Sequence, residues 1–197
     1  ARNFPTYFDK ASAPNESYTY ATRSNLTKIT YNGAHWVEAE YPATCPSSAR
    51  KTCNKATRIR DANGNWTDYT YHAQSGQVET ITYPANKHGI RAQTRFQYEQ
   101  KTAQYYDANG SWNTGAPIWL KTREEYCINS SASSGNCSGG DEVVTQFEYN
   151  HNNLLLSGMT VTSPAPNSTT RRTCYRYDIY GNQIGVTTPN ANLGSCP

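Results

Sequence analysis

The sequence predicts an all-β chain, an array of antiparallel β-hairpins forming a spiral or solenoid-like twisted sheet. Three observations carry that expectation. The pattern aromatic-x-Tyr occurs five times, at Tyr18-Thr19-Tyr20, Tyr69-Thr70-Tyr71, Phe96-Gln97-Tyr98, Phe147-Glu148-Tyr149 and Tyr175-Arg176-Tyr177. Two aromatics flanking one polar residue give the period-two signature of a half-buried strand. The spacing is regular as well: Tyr20 to Tyr98 and Tyr71 to Tyr149 are equal intervals, and Tyr98 to Tyr177 is one position longer. A fixed period, here about 78 residues, means one supersecondary unit copied and stacked. Finally, turn residues follow several of these segments, and a β-branched pair ending at proline closes the strand after the turn.

Composition agrees with this architecture. Leu, Ile, Val and Phe together number 24 of 197 residues while Tyr alone supplies 16, and the net charge is only +3. Low aliphatic content with high charge would mean disorder, but the charge is missing. Tyrosine fills the gap, because its ring buries a large apolar area and its hydroxyl finds a partner at a wetted sheet edge. Tyr, Thr, Trp and β-branched residues also favour strands.

Taken in order, residues 1–17 match no repeat and are expected to act as a pairing strand, and residues 18–197 form one continuous repeat domain. After Tyr20, Ile29-Thr30-Tyr31-Asn32 is a proline-less exit, followed by Asn32-Gly33 and Trp36. Asp61-Ala62-Asn63-Gly64-Asn65 predicts a turn before Tyr69, as does Ser75-Gly76 after Tyr71, and Ile81-Thr82-Tyr83-Pro84 predicts an exit. Asp107-Ala108-Asn109-Gly110 is a second copy of the Asp turn. Its Asn-Gly follows Asn32-Gly33 by almost the same long interval and again precedes a tryptophan, Trp112. Asn-Gly is expected to supply the two positive-φ residues of a tight hairpin, and Asp to bond its own backbone two residues on. Ser130 to Asp141 is a Ser/Gly-rich loop, and Asn150-His151-Asn152-Asn153 puts Asn where Gly would sit. Val161-Thr162-Ser163-Pro164 and Val186-Thr187-Thr188-Pro189 are exits, with the turn Asp178-Ile179-Tyr180-Gly181-Asn182 between them.

Six cysteines fall as sequence neighbours, Cys45 with Cys53, Cys127 with Cys137 and Cys174 with Cys196. No C-x-x-C spacing supports zinc, so short disulfide-closed loops and an oxidising, secreted setting are expected. Six cysteines allow 15 pairings. The neighbour choice rests on the repeat, since Cys45 to Cys127 and Cys53 to Cys137 each span close to the long period.

The hairpin unit resembles the YD repeat of the Rhs family of large secreted and cell-surface proteins. Tyr177-Asp178-Ile179-Tyr180-Gly181-Asn182 fits the family pattern Y-D-x-x-G-N throughout. Tyr106 to Gly110 fits until Ser111, and Asp61 to Asn65 fits with Arg60 in place of Tyr. The resemblance runs from near Tyr18 to near Asn190 and implies hairpins wound into a spiral sheet, often the wall of a hollow shell around a toxin or peptide. It also implies sugar binding at the cell surface. The chain is too short to close a shell and lacks the autoproteolytic Asp motif that ends one, so no catalytic residue is carried over.

Function classes narrow accordingly. The 18 Lys and Arg are scattered, with only Arg50-Lys51 and Arg171-Arg172 adjacent, so no nucleic-acid stripe is expected. The longest aliphatic run is Leu154-Leu155-Leu156, far below membrane-spanning length. Asp61-x-Asn63-x-Asn65 opens like an EF-hand loop, but Trp66 and His72 stand where glycine and glutamate are needed. His35, His72, His88 and His151 share no metal-like spacing, and no G-x-S-x-G is present. Glu124-Glu125 and Asp141-Glu142 read as solvated edge charges. Neither an enzyme nor a cofactor is expected. Trp36, Trp66, Trp112 and Trp119 are expected as packing, with stacking on sugar rings as the alternative role. Seven N-x-S/T triplets begin at Asn15, Asn25, Asn65, Asn109, Asn129, Asn136 and Asn167, and several are expected by chance. The expected role is a structural building block of a filament or shell wall. Its open strand edges would pair with other copies or with the rest of a larger YD-repeat polypeptide. The alternatives are a carbohydrate-binding module and a fragment of a toxin-encapsulating shell.

Overall fold

Alternation of Tyr, Thr and β-branched residues with polar ones produces antiparallel sheet throughout the computed structural model. The structure describes residues 7–8, 15–133, 136–164, 166, 168–191 and 193–196, and these contain no α-helix. The chain forms two compact units, Ala1–Arg91 and Ala92–Pro197.

The first unit is a meander of seven strands: β1 (Tyr7–Phe8), β2 (Glu16–Tyr20), β3 (Leu26–Tyr31), β4 (Ala34–Glu40), β5 (Arg58–Arg60), β6 (Trp66–Tyr71) and β7 (Val78–Thr82). Each pairs antiparallel with the next. Strand alternation divides the residues between two faces. One carries the cross-strand rows Tyr18–Ile29–Val37, Ala39–Ile59 and Tyr69–Ile81. The other carries Glu40–Arg58–Asp68 and Glu38–Arg60–Trp66. The loop between β4 and β5 is closed by Cys45–Cys53, and Cys53 is fully buried. Arg23 holds the loop in place by donating to the carbonyls of Pro42, Ala43 and Cys53. Within residues 1–17, Tyr7–Phe8 forms β1, and Glu16 and Ser17 open β2. Strand β1 pairs with β2 of its own chain, and the rest of residues 1–14 lies outside the described residues.

The second unit orders its main strands β8 (Gln93–Lys101), β11 (Ile118–Cys127), β14 (Glu142–Tyr149), β15 (Leu156–Thr162), β16 (Thr170–Tyr177) and β17 (Gln183–Val186). Two side hairpins branch off, β9 (Gln104–Tyr106) with β10 (Trp112–Thr114) and β12 (Ala132–Ser133) with β13 (Asn136–Cys137). Its polar face includes the row Gln97–Arg123–Gln146–Thr160–Arg172.

Tyrosine does much of the packing in both units. Tyr41, Tyr71, Tyr149 and Tyr177 donate their hydroxyls to the carbonyls of Leu26, Ala56, Lys121 and Leu156 at 2.7–3.0 Å. Burial raises the pKa of Tyr41, Tyr71 and Tyr149. Among the described residues, the largest side chains buried almost completely are the small ones of Cys53 and Cys174. The bridges Cys45–Cys53, Cys127–Cys137 and Cys174–Cys196 are the neighbour pairs that the sequence suggested, and each places at least one buried cysteine in a thin core.

The turns follow one plan, and it differs from the expected one. In the Asp61, Asp107 and Asp178 turns, only the glycines, Gly64, Gly110 and Gly181, take positive φ. The Asp Oδ1 accepts the N–H groups two and four residues on, and the glycine N–H donates to the Asp carbonyl. This is a type I turn closed by a left-handed glycine, which leaves the residue before glycine (Asn63, Asn109 or Tyr180) in ordinary geometry. Two positive-φ residues occur together only at Asn32-Gly33, with φ of 50° and 77°, among the described residues. Asn86 to Ile90 forms the same turn with Asn in place of Asp, and Ala21 to Asn25 forms its backbone alone, with Ser24 in the glycine position. In the Asn150 turn, Leu154 takes the positive φ and the loop is one residue longer than expected.

Gly76 and Gly110 have nearly equal φ, 74° and 77°, but different surroundings. A Cβ on Gly76 would lie 2.7 Å from the Lys51 carbonyl, whereas nothing is within 4 Å of one on Gly110. Gly110→Ala is therefore expected to cost about 1–2 kcal/mol, the left-handed penalty alone. Gly76→Ala should cost measurably more in urea unfolding, and equal losses would refute the close approach.

Candidate functional site

The β16–β17 hairpin is the most exposed apolar feature of the second unit. Asp178 and Asn182 lock its turn: Asn182 donates both its side-chain amide and its backbone N–H to the Asp178 carboxylate, each at 2.9 Å. The Asn182 side-chain bond is the main reason the Asp178 pKa falls below its ordinary value, and its backbone N–H adds to the shift. At Asp61, the backbone N–H of Asn65 is the main cause of the same downward shift. Both carboxylates are bonded within their own turns and organise the loop backbone.

Beyond the Asp178 turn, β17 pairs only with β16 among the described residues, leaving its outer edge open. The chain then returns toward β16 through Cys174–Cys196, and the Thr187 N–H bonds the Cys174 carbonyl. The edge carries Ile184 and Val186, 59% and 58% exposed.

The four tryptophans separate into two kinds. Trp66 is half-buried, with the Arg58 guanidinium 3.9 Å over its ring and Arg60 at 5.9 Å, and Trp119 is also half-buried. Trp36 and Trp112 are exposed, each beside an exposed tyrosine. The Tyr31–Trp36 centroids are 5.6 Å apart with rings at 70°, and the Tyr106–Trp112 centroids are 4.4 Å apart at 58°. Tyr31, Ala34, His35, Trp36 and Ala62 line a shallow, mainly apolar hollow of about 390 Å³.

The second unit also holds a polar cleft of about 800 Å³, lined in part by Gln97, Glu99, Lys101, Arg123, Gln146 and Glu148. It opens where β11 ladder pairing to β14 stops at Arg123–Gln146, next to a bulge between Lys121 and Arg123. Its charges are paired locally: Lys101 with Glu99, Arg123 with Glu125, and Arg172 with Glu148.

Glu125 departs furthest from the solvated edge expected of Glu124-Glu125 and Asp141-Glu142, none of which is fully exposed. Glu125 is 6% exposed and lies with the equally buried Arg95, whose guanidinium also pairs with Glu142, beside Cys127–Cys137. The sequence signal was weak, because only the β8–β11 register places Arg95 opposite Glu125. Asp141 is half-buried. Burial opposes its ionisation, but bonds from the Ser130 hydroxyl and the Asn129 N–H prevail and hold its pKa down.

Among the described residues, no cluster of His, Cys, Asp and Glu could hold a metal ion. Of the N-x-S/T asparagines, Asn15, Asn109, Asn129 and Asn136 are exposed, Asn25 and Asn65 are bonded to Asn54 and Asp61, and Asn167 lies outside the described residues. No described helix is long and apolar enough to cross a membrane, and three intramolecular disulfides are typical of extracellular proteins. No family model matches the chain, and no curated protein matches it.

Proposed function

We propose that this chain is a non-enzymatic structural module of a secreted or cell-surface YD-repeat protein, joined to neighbours through open strand edges. The observation that carries the reading is β17, a strand that pairs only with β16 among the described residues and carries the exposed, apolar Ile184 and Val186. Such an edge is a template for another strand, and natural sheets usually pair, cover or charge it. Here it is uncharged. A twisted, spiral array with a period of about 78 residues is also supported by matching turns one such period apart. They open at His72 and Asn150, and each of these donates its backbone N–H to the carbonyl five positions on, Gln77 and Leu155.

Ile184→Lys/Val186→Lys tests the edge directly, since lysines on an edge discourage strand pairing. The wild-type chain is expected to associate with rising concentration in sedimentation velocity, and the double variant to stay monomeric with unchanged circular dichroism. A wild-type chain that remains a monodisperse monomer at high concentration overturns the reading.

Carbohydrate binding is the second reading, favoured by the exposure of the Tyr31–Trp36 and Tyr106–Trp112 pairs, whose ring faces suit sugar stacking. A glycan array with Trp36→Ala and Trp112→Ala controls separates it from the first.

A further inference from the structure

Five turns share the backbone plan set by Asp61, Asp107 and Asp178, and they differ at the two apex positions. Those positions hold Thr22-Arg23, Ala62-Asn63, Lys87-His88, Ala108-Asn109 and Ile179-Tyr180. The turn's bonds use the Asx side chain, the backbone and the residue in the left-handed position, so its geometry places no demand on the apex side chains. Four sister turns accordingly carry small or polar residues there. The fifth carries two large apolar ones, 90% and 84% exposed, the most exposed large hydrophobic side chains described. With Ile184 and Val186 they concentrate exposed apolar surface on one hairpin and its edge. A surface of this kind marks an interaction site.

The same chain holds an opening that matches this knob in chemistry. Leu26, Ile29, Val37, Ala39, Tyr41 and Ile59 line a hollow of about 180 Å³ on the apolar face of the first unit, room for one branched aliphatic side chain. We propose that the Asp178 hairpin is a docking knob for a second copy of this chain, with Ile179 seated in that hollow and Tyr180 packed at its rim. A knob on the second unit that fits a hollow on the first unit of another copy makes a heterologous contact, which adds copies head to tail. The inference rests on the assembly reading above and assigns it a specific contact beside the β17 edge.

Ile179→Ala/Tyr180→Asn gives this turn the Ala-Asn apex of its Asp61 and Asp107 sisters, so the hairpin keeps a sequence already accommodated by the same backbone. In sedimentation velocity, the variant is expected to weaken self-association by about 100-fold or more, the scale of removing two buried apolar side chains. A photoreactive p-benzoylphenylalanine at position 179, in a mixture of isotopically light and heavy copies, is expected to cross-link to the other copy's segment 26–41 or to Ile59. Unchanged association of the apex variant, while Ile184→Lys/Val186→Lys is monomeric, overturns the knob and leaves the edge reading standing. Cross-links within one copy, or to other segments, also overturn the knob. A wild-type chain that never associates overturns both.

Discussion

Arg95→Met is expected to destabilise the second unit by about 3–5 kcal/mol, the usual consequence of stranding a buried charge. Arg95 and Glu125 are almost fully buried, and Arg95 contacts Glu125 at 3.2 Å while also pairing with Glu142. Without the guanidinium, Glu125 retains only Arg123 as a cationic partner among the described residues, and that side chain is itself partly exposed. The intact pair need not be worth that much, because its desolvation offsets most of its attraction. Arg95→Met/Glu125→Met should therefore recover much of the loss. Urea unfolding followed by far-ultraviolet circular dichroism measures both. A loss below about 1 kcal/mol for Arg95→Met, the scale of a surface pair, would show that water reaches the cluster.

Removing the Cys174–Cys196 bridge by Cys174→Ala/Cys196→Ala is expected to cost about 3 kcal/mol, given a loop-closure contribution for a separation of 22 residues. For a unit of this size that corresponds to a fall in Tm of roughly 12–24 °C. Packing adds to the constraint. Cys174 is 1% exposed, and Gly158 lies so close that a Cβ on it would be 2.9 Å from the Cys196 sulfur. The bridge also fixes the chain after β17 against β16, so amide exchange should quicken first in β16 and β17. Uniform loss of protection across the unit, or a Tm change of only a few degrees, would count against this account.

Strand character was readable because period two is a local property. Each aromatic-x-Tyr segment, from Tyr18-Thr19-Tyr20 to Tyr175-Arg176-Tyr177, lies on a strand. Turn positions were readable for the same reason, although turn type was not. Asn63-Gly64 and Asn109-Gly110 look like Asn32-Gly33, but the upstream Asp redirects the amides and leaves glycine alone with positive φ. The Asn86 turn was missed because Asn-x-x-Gly is a weaker signal than Asp-x-Asn-Gly. In the candidate site, the sequence marked Asp178 and Gly181 as turn formers but did not single out Ile179 and Tyr180. Their significance appears only when five turns of one geometry can be compared.

By itself, the sequence determined the all-β class, the neighbour order of hairpins and the dependence on tyrosine and disulfides, because these follow from local periodicity, turn chemistry and composition. Tertiary structure alone decided which charges and aromatics are covered. Glu125 reads as an edge charge and is buried, while Trp36 and Trp112 read as packing and are exposed. The reason is register: a cross-strand neighbour is set by residues far away along the chain, and a one-residue slip moves a side chain to the opposite face. Open edges were expected from the repeat itself, but that β17 carries one among the described residues follows only from the strand pairing.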